Sequence, residues 1–199
     1  MPHIDFYFEF SSPYGYLAAT WIEDFAAANK ASLAWHPFLM GAVFQRNDMK
    51  PLTTIPIKGD YAVRDFERTA RREDIALSLP KPFPFMAVAA CRAFYAVEQN
   101  DPETAVALAK ALYQAAFGQG SDISTGEAVC KIAGDLGLDG AALSEKIISQ
   151  PIKDRLFAAT DAAIERGVFG SPFFFVDEEP FWGNEKREDM QRWIETGGW

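Results

Sequence analysis

Ser12 follows an alternating apolar run and stands directly before a proline, the arrangement of a residue at the junction of a strand and a helix. Backbone N–H groups and the helix dipole favour negative charge at such a junction, and a hydroxyl there can donate to a bound anion or thiolate. Serine is also a common N-cap, and the local sequence supports both roles. Gly170-Ser171-Pro172 precedes the apolar run Phe173-Phe174-Phe175-Val176. A proline opening a strand is either an ordinary trans residue or a cis one, and the cis form presents the preceding backbone groups to a peptide-like ligand. Trp182-Gly183-Asn184-Glu185 leads into the last helical segment, where Asn184 and Glu185 can cap the helix, bind a ligand, or do both. Lys58, between Ile57 and Gly59, is either an exposed lysine or a cation for an acidic ligand.

Other reactive types lack a pattern. His3 and His36 have no triad or metal-ligand spacing around them, and a structural role is the simpler reading. Cys91 and Cys130 are too far apart for a Cys-x-x-Cys pair or a zinc site and read as buried thiols. No phosphate-binding glycine loop and no nucleophile elbow is present.

The elements that must position these residues follow from periodicity. Residues 3–10 alternate and are rich in β formers, which predicts a strand. Apolar residues at helical spacing (Leu17, Trp21, Phe25, Ala28) predict one helix from Tyr14 to about Asn29, with Ser12 as cap and Asn29 near its end. Residues 31–38 predict a second strand, parallel to the first if the helix crosses between them. Residues 41–60 read as loop. Helices are expected over 59–74, 85–100, 101–117, 124–137, 139–149 and 151–167, with the proline-rich 79–84 excluded from any helix interior. Strand character returns at 173–176, a hairpin partner at 180–182, and a closing helix over 185–195 with Asn184 as its cap. The order βαβ, helices, ββα describes an α/β thioredoxin-like fold with an all-helical insertion. The expected division is 1–40 with 168–199 as the thioredoxin-like domain, and 41–167 as connecting loop and insertion.

Composition bounds the function. The formal net charge of -9 argues against nucleic acid as a partner, although local cations could still serve an anionic ligand. No apolar stretch approaches the ~20 residues that span a bilayer, and no secretory signal is visible at the start, so the expected setting is the cytoplasm. Seventeen Phe and five Trp exceed the needs of a small core and point to a pocket or a subunit interface.

Asp5-Phe6-Tyr7-Phe8-Glu9-Phe10-Ser11-Ser12-Pro13-Tyr14-Gly15-Tyr16-Leu17 resembles the opening of 2-hydroxychromene-2-carboxylate isomerases and kappa-class glutathione transferases. The stretch from Gly167 through Pro172 to Glu185 is similar to the cis-proline and closing-helix motifs of the same families, and Pro56-Ile57-Lys58-Gly59-Asp60-Tyr61 to their cofactor loop. The resemblance implies that Ser12 hydrogen-bonds the sulfur of glutathione, that Ser171 before a cis Pro172 pairs with its cysteinyl part, that Asn184 and Glu185 hold the γ-glutamyl end, and that Lys58 approaches the glycine carboxylate. It also implies a homodimer acting on a small aromatic substrate. Two departures stand out. Met49 falls where these families commonly have Asn, and Glu185 replaces the more usual Asp. Periplasmic disulfide oxidoreductases are similar in fold, but here Ser12-Pro13-Tyr14-Gly15 takes the place of their dithiol motif, so the sulfur must come from glutathione.

The leading expectation is glutathione-dependent cis–trans isomerisation of an aromatic α-keto acid. Conjugation of glutathione to electrophiles is a second, and a non-catalytic glutathione- or peptide-binding module a third.

Overall fold

The computed structural model describes Met1–Trp199. Four strands form one mixed sheet, β1 (His3–Phe8), β2 (Ser32–Pro37), β3 (Phe173–Val176) and β4 (Glu179–Trp182), in the spatial order β2-β1-β3-β4. β1 and β2 run parallel, in register from His3 with Ser32 to Phe8 with Pro37. β3 lies antiparallel to β1, and β4 antiparallel to β3. Pro180 falls on the edge strand β4, where a missing N–H breaks no central ladder. β1 is buried on both faces. Ile4, Phe6 and Phe8 enter the main apolar cluster with Trp35 and Phe174, while Tyr7 packs in a second cluster with Phe173 and Phe175. Alternation along the strand sends each set to its own face.

The segment expected as one helix is two, α1 (Pro13–Ala19) and α2 (Ile22–Ala28). Thr20 Oγ1 donates to the carbonyl of Leu17 at 2.7 Å, a local bond that competes with the helical ladder. Trp21 then leaves helical geometry (φ -122°, ψ -16°). Its indole packs against Phe25 and Phe174, and its Nε1–H donates to Asn184 Oδ1 at 2.8 Å. Side-chain burial thus overrides a helical period that runs through the break.

The stretch 41–60 is also more ordered than expected. It holds most of α3 (Met40–Arg46), a 3₁₀ turn at Leu52–Thr54 and the start of α4 (Lys58–Arg72). Val43 anchors α3 by packing with Phe38 in the second cluster. Gly59 is required where α4 meets the 3₁₀ turn, because a Cβ there would collide with the Thr53 carbonyl. As expected, 79–84 is not helical, and its Lys81–Pro82 and Phe83–Pro84 bonds are cis. There follow α5 (Val88–Glu98), α6 (Pro102–Tyr113, capped by Asp101 and extended by a π turn at Gln114–Gly118), α7 (Gly126–Asp135), α8 (Gly140–Ile148) and α9 (Gln150–Glu165). α10 (Arg187–Thr196) closes the chain. The observed order is that of an α/β thioredoxin-like fold with helices between β2 and β3. One apolar cluster joins the sheet to these helices, with Phe8 against Phe94 of α5 and Tyr113 of α6. No helix is long and apolar enough to cross a membrane.

Candidate active site

Ser12 occupies the N-cap of α1 in extended geometry (φ -93°, ψ 112°). Its Oγ accepts from Gly15 N at 3.0 Å and donates to the Ser171 carbonyl at 2.8 Å. The two readings of Ser12 therefore coincide, since it caps the helix and points its proton at the neighbouring loop. α1 has only seven residues, so the dipole contributes less here than the single long helix expected from periodicity. Gly15 lies in the first turn, where an added Cβ would stand 2.5 Å from Tyr113 Oη and 3.0 Å from Ser171 Oγ.

Ser171 lies across from Ser12 in the loop before β3, and the Ser171–Pro172 bond is cis. Its Oγ accepts from the main-chain N–H of Glu9 at 3.0 Å. Tyr113 from α6 donates to the Glu9 carbonyl at 3.0 Å. Three distant pieces of chain, at 9–15, 113 and 171, are thus tied together by polar contacts inside an aromatic core.

Asn184 and Glu185 fall in a 3₁₀ turn, Asn184–Lys186, and the residue at the N-cap of α10 is Lys186. The expectation that Asn184 caps the last helix is therefore corrected. Its buried amide accepts from Trp21 Nε1 and donates to Glu73 Oε1 at 3.3 Å, leaving one N–H and one lone pair for a ligand. Glu185 is exposed. Lys58, expected in a loop, is the first residue of α4, exposed and without an ion-pair partner, so its charge adds to the positive end of a 15-residue helix. Ile57 before it has φ 70°, an uncommon conformation for a β-branched residue.

All six of Ser12, Lys58, Ser171, Pro172, Asn184 and Glu185 line one cavity of about 1250 Å³. That exceeds the roughly 300–1,000 Å³ of a pocket for one small molecule. One part of the wall is polar, with Lys50, Asp65, Arg68 and Arg72. Asp65 holds Arg68 and the Tyr14 hydroxyl, and burial followed by that bond pushes the Tyr14 phenol up. Another part is apolar, with Leu39, Phe83, Phe85 and Phe169. Met49, at the position of the departure noted above, lines it as well.

Glu9 is a further wall residue, one that the sequence motifs do not single out. It is 5% exposed, and burial pushes its carboxyl up to about 7 against the opposing hydrogen bonds from Ser11. The signal was present: an acid between Phe8 and Phe10 in an otherwise apolar run. His3 and His36 lie away from the cavity lining and both contact Asp5, at 3.2 and 2.7 Å. Cys91 and Cys130 are buried free thiols, and burial pushes both up.

Comparison with known proteins identifies the family and the fold. Residues 3–195 match the DSBA-like thioredoxin domain. The chain is 31% identical to the 2-hydroxychromene-2-carboxylate isomerase of Sphingobium xenophagum, over 96% of this chain and 97% of that one. It is 24% identical to the glutathione S-transferase kappa 1 of Homo sapiens, over 85% and 78%. A solved structure of a 2-hydroxychromene-2-carboxylate isomerase superposes with a TM-score of 0.87 at 26% identity, over 97% and 94%. The chain thus belongs to the DSBA-like thioredoxin family and, within it, is an enzyme of the group formed by the 2-hydroxychromene-2-carboxylate isomerases and the kappa glutathione transferases.

Proposed function

We propose that the cavity binds glutathione beside a small aromatic α-keto acid and that the enzyme isomerises a conjugated double bond of that substrate from cis to trans. The observation that carries this reading is the convergence of Ser12, Lys58, Ser171, Pro172, Asn184 and Glu185 on one cavity, too large for a single small ligand and apolar along one wall. The residues fit glutathione. Lys58 at the head of α4 suits a carboxylate, the exposed carboxylate of Glu185 suits the ammonium, and Ser12 and Ser171 offer polar groups for the cysteinyl part. When bound, glutathione supplies a thiolate that can add reversibly to a conjugated double bond and so free it to rotate.

The chain's own residues hold and orient. Ser12 turns its hydroxyl proton from the Ser171 carbonyl to the sulfur while its oxygen goes on accepting from Gly15 N. The Ser171 carbonyl, released by that turn, accepts an N–H from the peptide of the ligand. The apolar wall excludes water and takes the aromatic ring, and the unpaired charge of Lys58 draws anions toward an acidic protein. The exposed Trp182 and Phe169 pack edge to face at the rim, in keeping with a homodimer. The closeness to the isomerase relative, 31% against 24% for the human transferase, favours isomerisation over conjugation.

Turnover of a conjugated aryl pyruvate with and without glutathione tests the reading. Glutathione recovered free with isomerised product supports it. A stable thioether means a transferase, and binding without turnover means a non-catalytic module.

A further inference from the structure

Glu9 has no task in the reading above, yet its place is fixed on every side. Its N–H donates to Ser171 Oγ, and its carbonyl accepts from Ser12 N and Tyr113 Oη, each at 3.0 Å. One carboxylate oxygen, Oε2, accepts both the N–H of Ser11, at 2.8 Å, and its hydroxyl. The other, Oε1, has no protein partner. Arg92 Nε is the one sealed side-chain polar atom that lacks a hydrogen bond. Oε1 is therefore open to the cavity that Glu9 lines with Ser11, Ser12 and Ser171.

No cation pairs with this carboxyl, and Arg92, next to Cys91 on α5, acts on the Cys91 thiol. α5 presents Cys91 and α6 presents Tyr113, two acids that burial, and then the charge of Glu9, push up and keep neutral. The cations of the cavity lie on and before α4, where Arg68 and Arg72 are paired with Asp65 and Glu73. A thiolate placed at Ser12 would put a second negative charge into the same poorly solvated wall. Two anions so placed repel, and a single proton between them relieves the repulsion.

Resting on the glutathione reading, we propose that Glu9 is the proton partner of the thiol held at Ser12. Glu9 Oε1 takes the thiol proton as the S–H bond breaks, the electron pair stays on sulfur, and Glu9 returns the proton when the ligand leaves. The wall then carries one negative charge before and after the transfer. Burial supplies the rest, because a carboxyl pushed up to about 7 can exchange protons near neutral pH.

The test counts protons. Glutathione is titrated into the wild type and Glu9→Gln at pH 8, in two buffers of different ionisation enthalpy, while ultraviolet absorbance reports thiolate. Gln keeps an acceptor for Ser11 and cannot titrate. The wild type is expected to form thiolate while releasing less than about a fifth of a proton per site, since Glu9 is then mostly ionised and ready to accept. Any thiolate in Glu9→Gln must send roughly one proton to the buffer, and its turnover falls about a hundredfold. S-methylglutathione, which has no thiol proton, should bind both proteins with the same affinity and without proton exchange. Wild-type thiolate accompanied by a full proton released to the buffer overturns the role of Glu9 and leaves the glutathione reading standing. No binding of glutathione or its S-methyl form to the wild type overturns the glutathione reading, and the role of Glu9 with it.

Discussion

Asp5 and Glu9 lie on one stretch of chain and are 8% and 5% exposed, so both surrender most of their hydration. Their surroundings differ. At Asp5, burial raises the carboxyl, but hydrogen bonds from His36 (2.7 Å) and Arg166 (2.6 Å), with their charges, outweigh it and hold Asp5 well below the usual carboxylate range. Arg166 also donates to Tyr7 Oη and the Asp177 carbonyl, and its guanidinium lies 3.9 Å from the centre of the Phe175 ring. At Glu9 the partners are Ser11, Ser171, Ser12 and Tyr113, all of them uncharged, and burial wins. Burial alone decides neither case; the presence of a cation does. An ionised acid welded to three donors suits architecture, and an acid poised near neutrality beside a cavity suits proton exchange.

Removing the cation should break the comparison most visibly. Arg166→Met leaves Asp5 with histidine partners only, and the expected loss of stability at pH 7 is about 3–5 kcal/mol by urea unfolding. A depressed carboxylate stabilises the fold above its unfolded value near 3.8, and that contribution fades as pH falls through the lower folded value. The gap between variant and wild type should therefore narrow toward pH 3.

Glu9→Gln should act with the opposite sign. The folded carboxyl, raised from 4.5 to about 7, keeps its proton where the unfolded chain has lost it. Wild-type stability from this group is full below pH 4.5 and declines as pH rises to about 7. The variant should be the more stable protein at pH 8 by roughly 2–4 kcal/mol, with no advantage at pH 4. Thermal unfolding across pH measures this, and a variant less stable at pH 8 would show that burial does not raise the Glu9 carboxyl in the fold.

Ser12→Ala isolates the neighbour of the raised acid. Losing a hydrogen bond to a charged sulfur should lower turnover by about 1.5–3 kcal/mol in transition-state terms, with a smaller effect on glutathione affinity. Unchanged turnover at neutral pH would leave Ser12 as a cap alone. Gly15→Ala probes how tightly the Glu9 end is packed. The new Cβ must displace Tyr113 Oη or Ser171 Oγ, and a net loss of about 1–2 kcal/mol is expected after the better helix propensity of Ala is counted.

Lys58→Ala is the smallest change and a control on the comparison. An exposed, unpaired cation should alter glutathione affinity by less than about 1 kcal/mol, and added salt should shrink the difference. It should leave the titration of Glu9 where it is. Equal affinities at low salt would show Lys58 to be an ordinary surface lysine.

What could be read from the sequence is what depends on neighbours along the chain. The alternation of 3–10, the proline after Ser12 and the turn before 180–182 are local, and they led to the right succession of strands along the chain and to Ser12 as a cap. The motifs around Ser12, Lys58, Ser171 and Glu185 were legible too, and all of them face the cavity. The tertiary structure decided what depends on distant partners. It broke the first helix at Trp21, because an indole found Phe174 and Asn184 on other elements. It took Asn184 from the helix cap and gave its amide to Trp21 and Glu73. It shifted two similar acids in opposite directions, because Arg166 comes from the end of α9 to one, while Tyr113 and Ser171 come to the other from 104 and 162 residues away. Hydrogen-bonding period is a property of the local chain, whereas the field at a buried carboxyl is summed over whatever the fold brings near it.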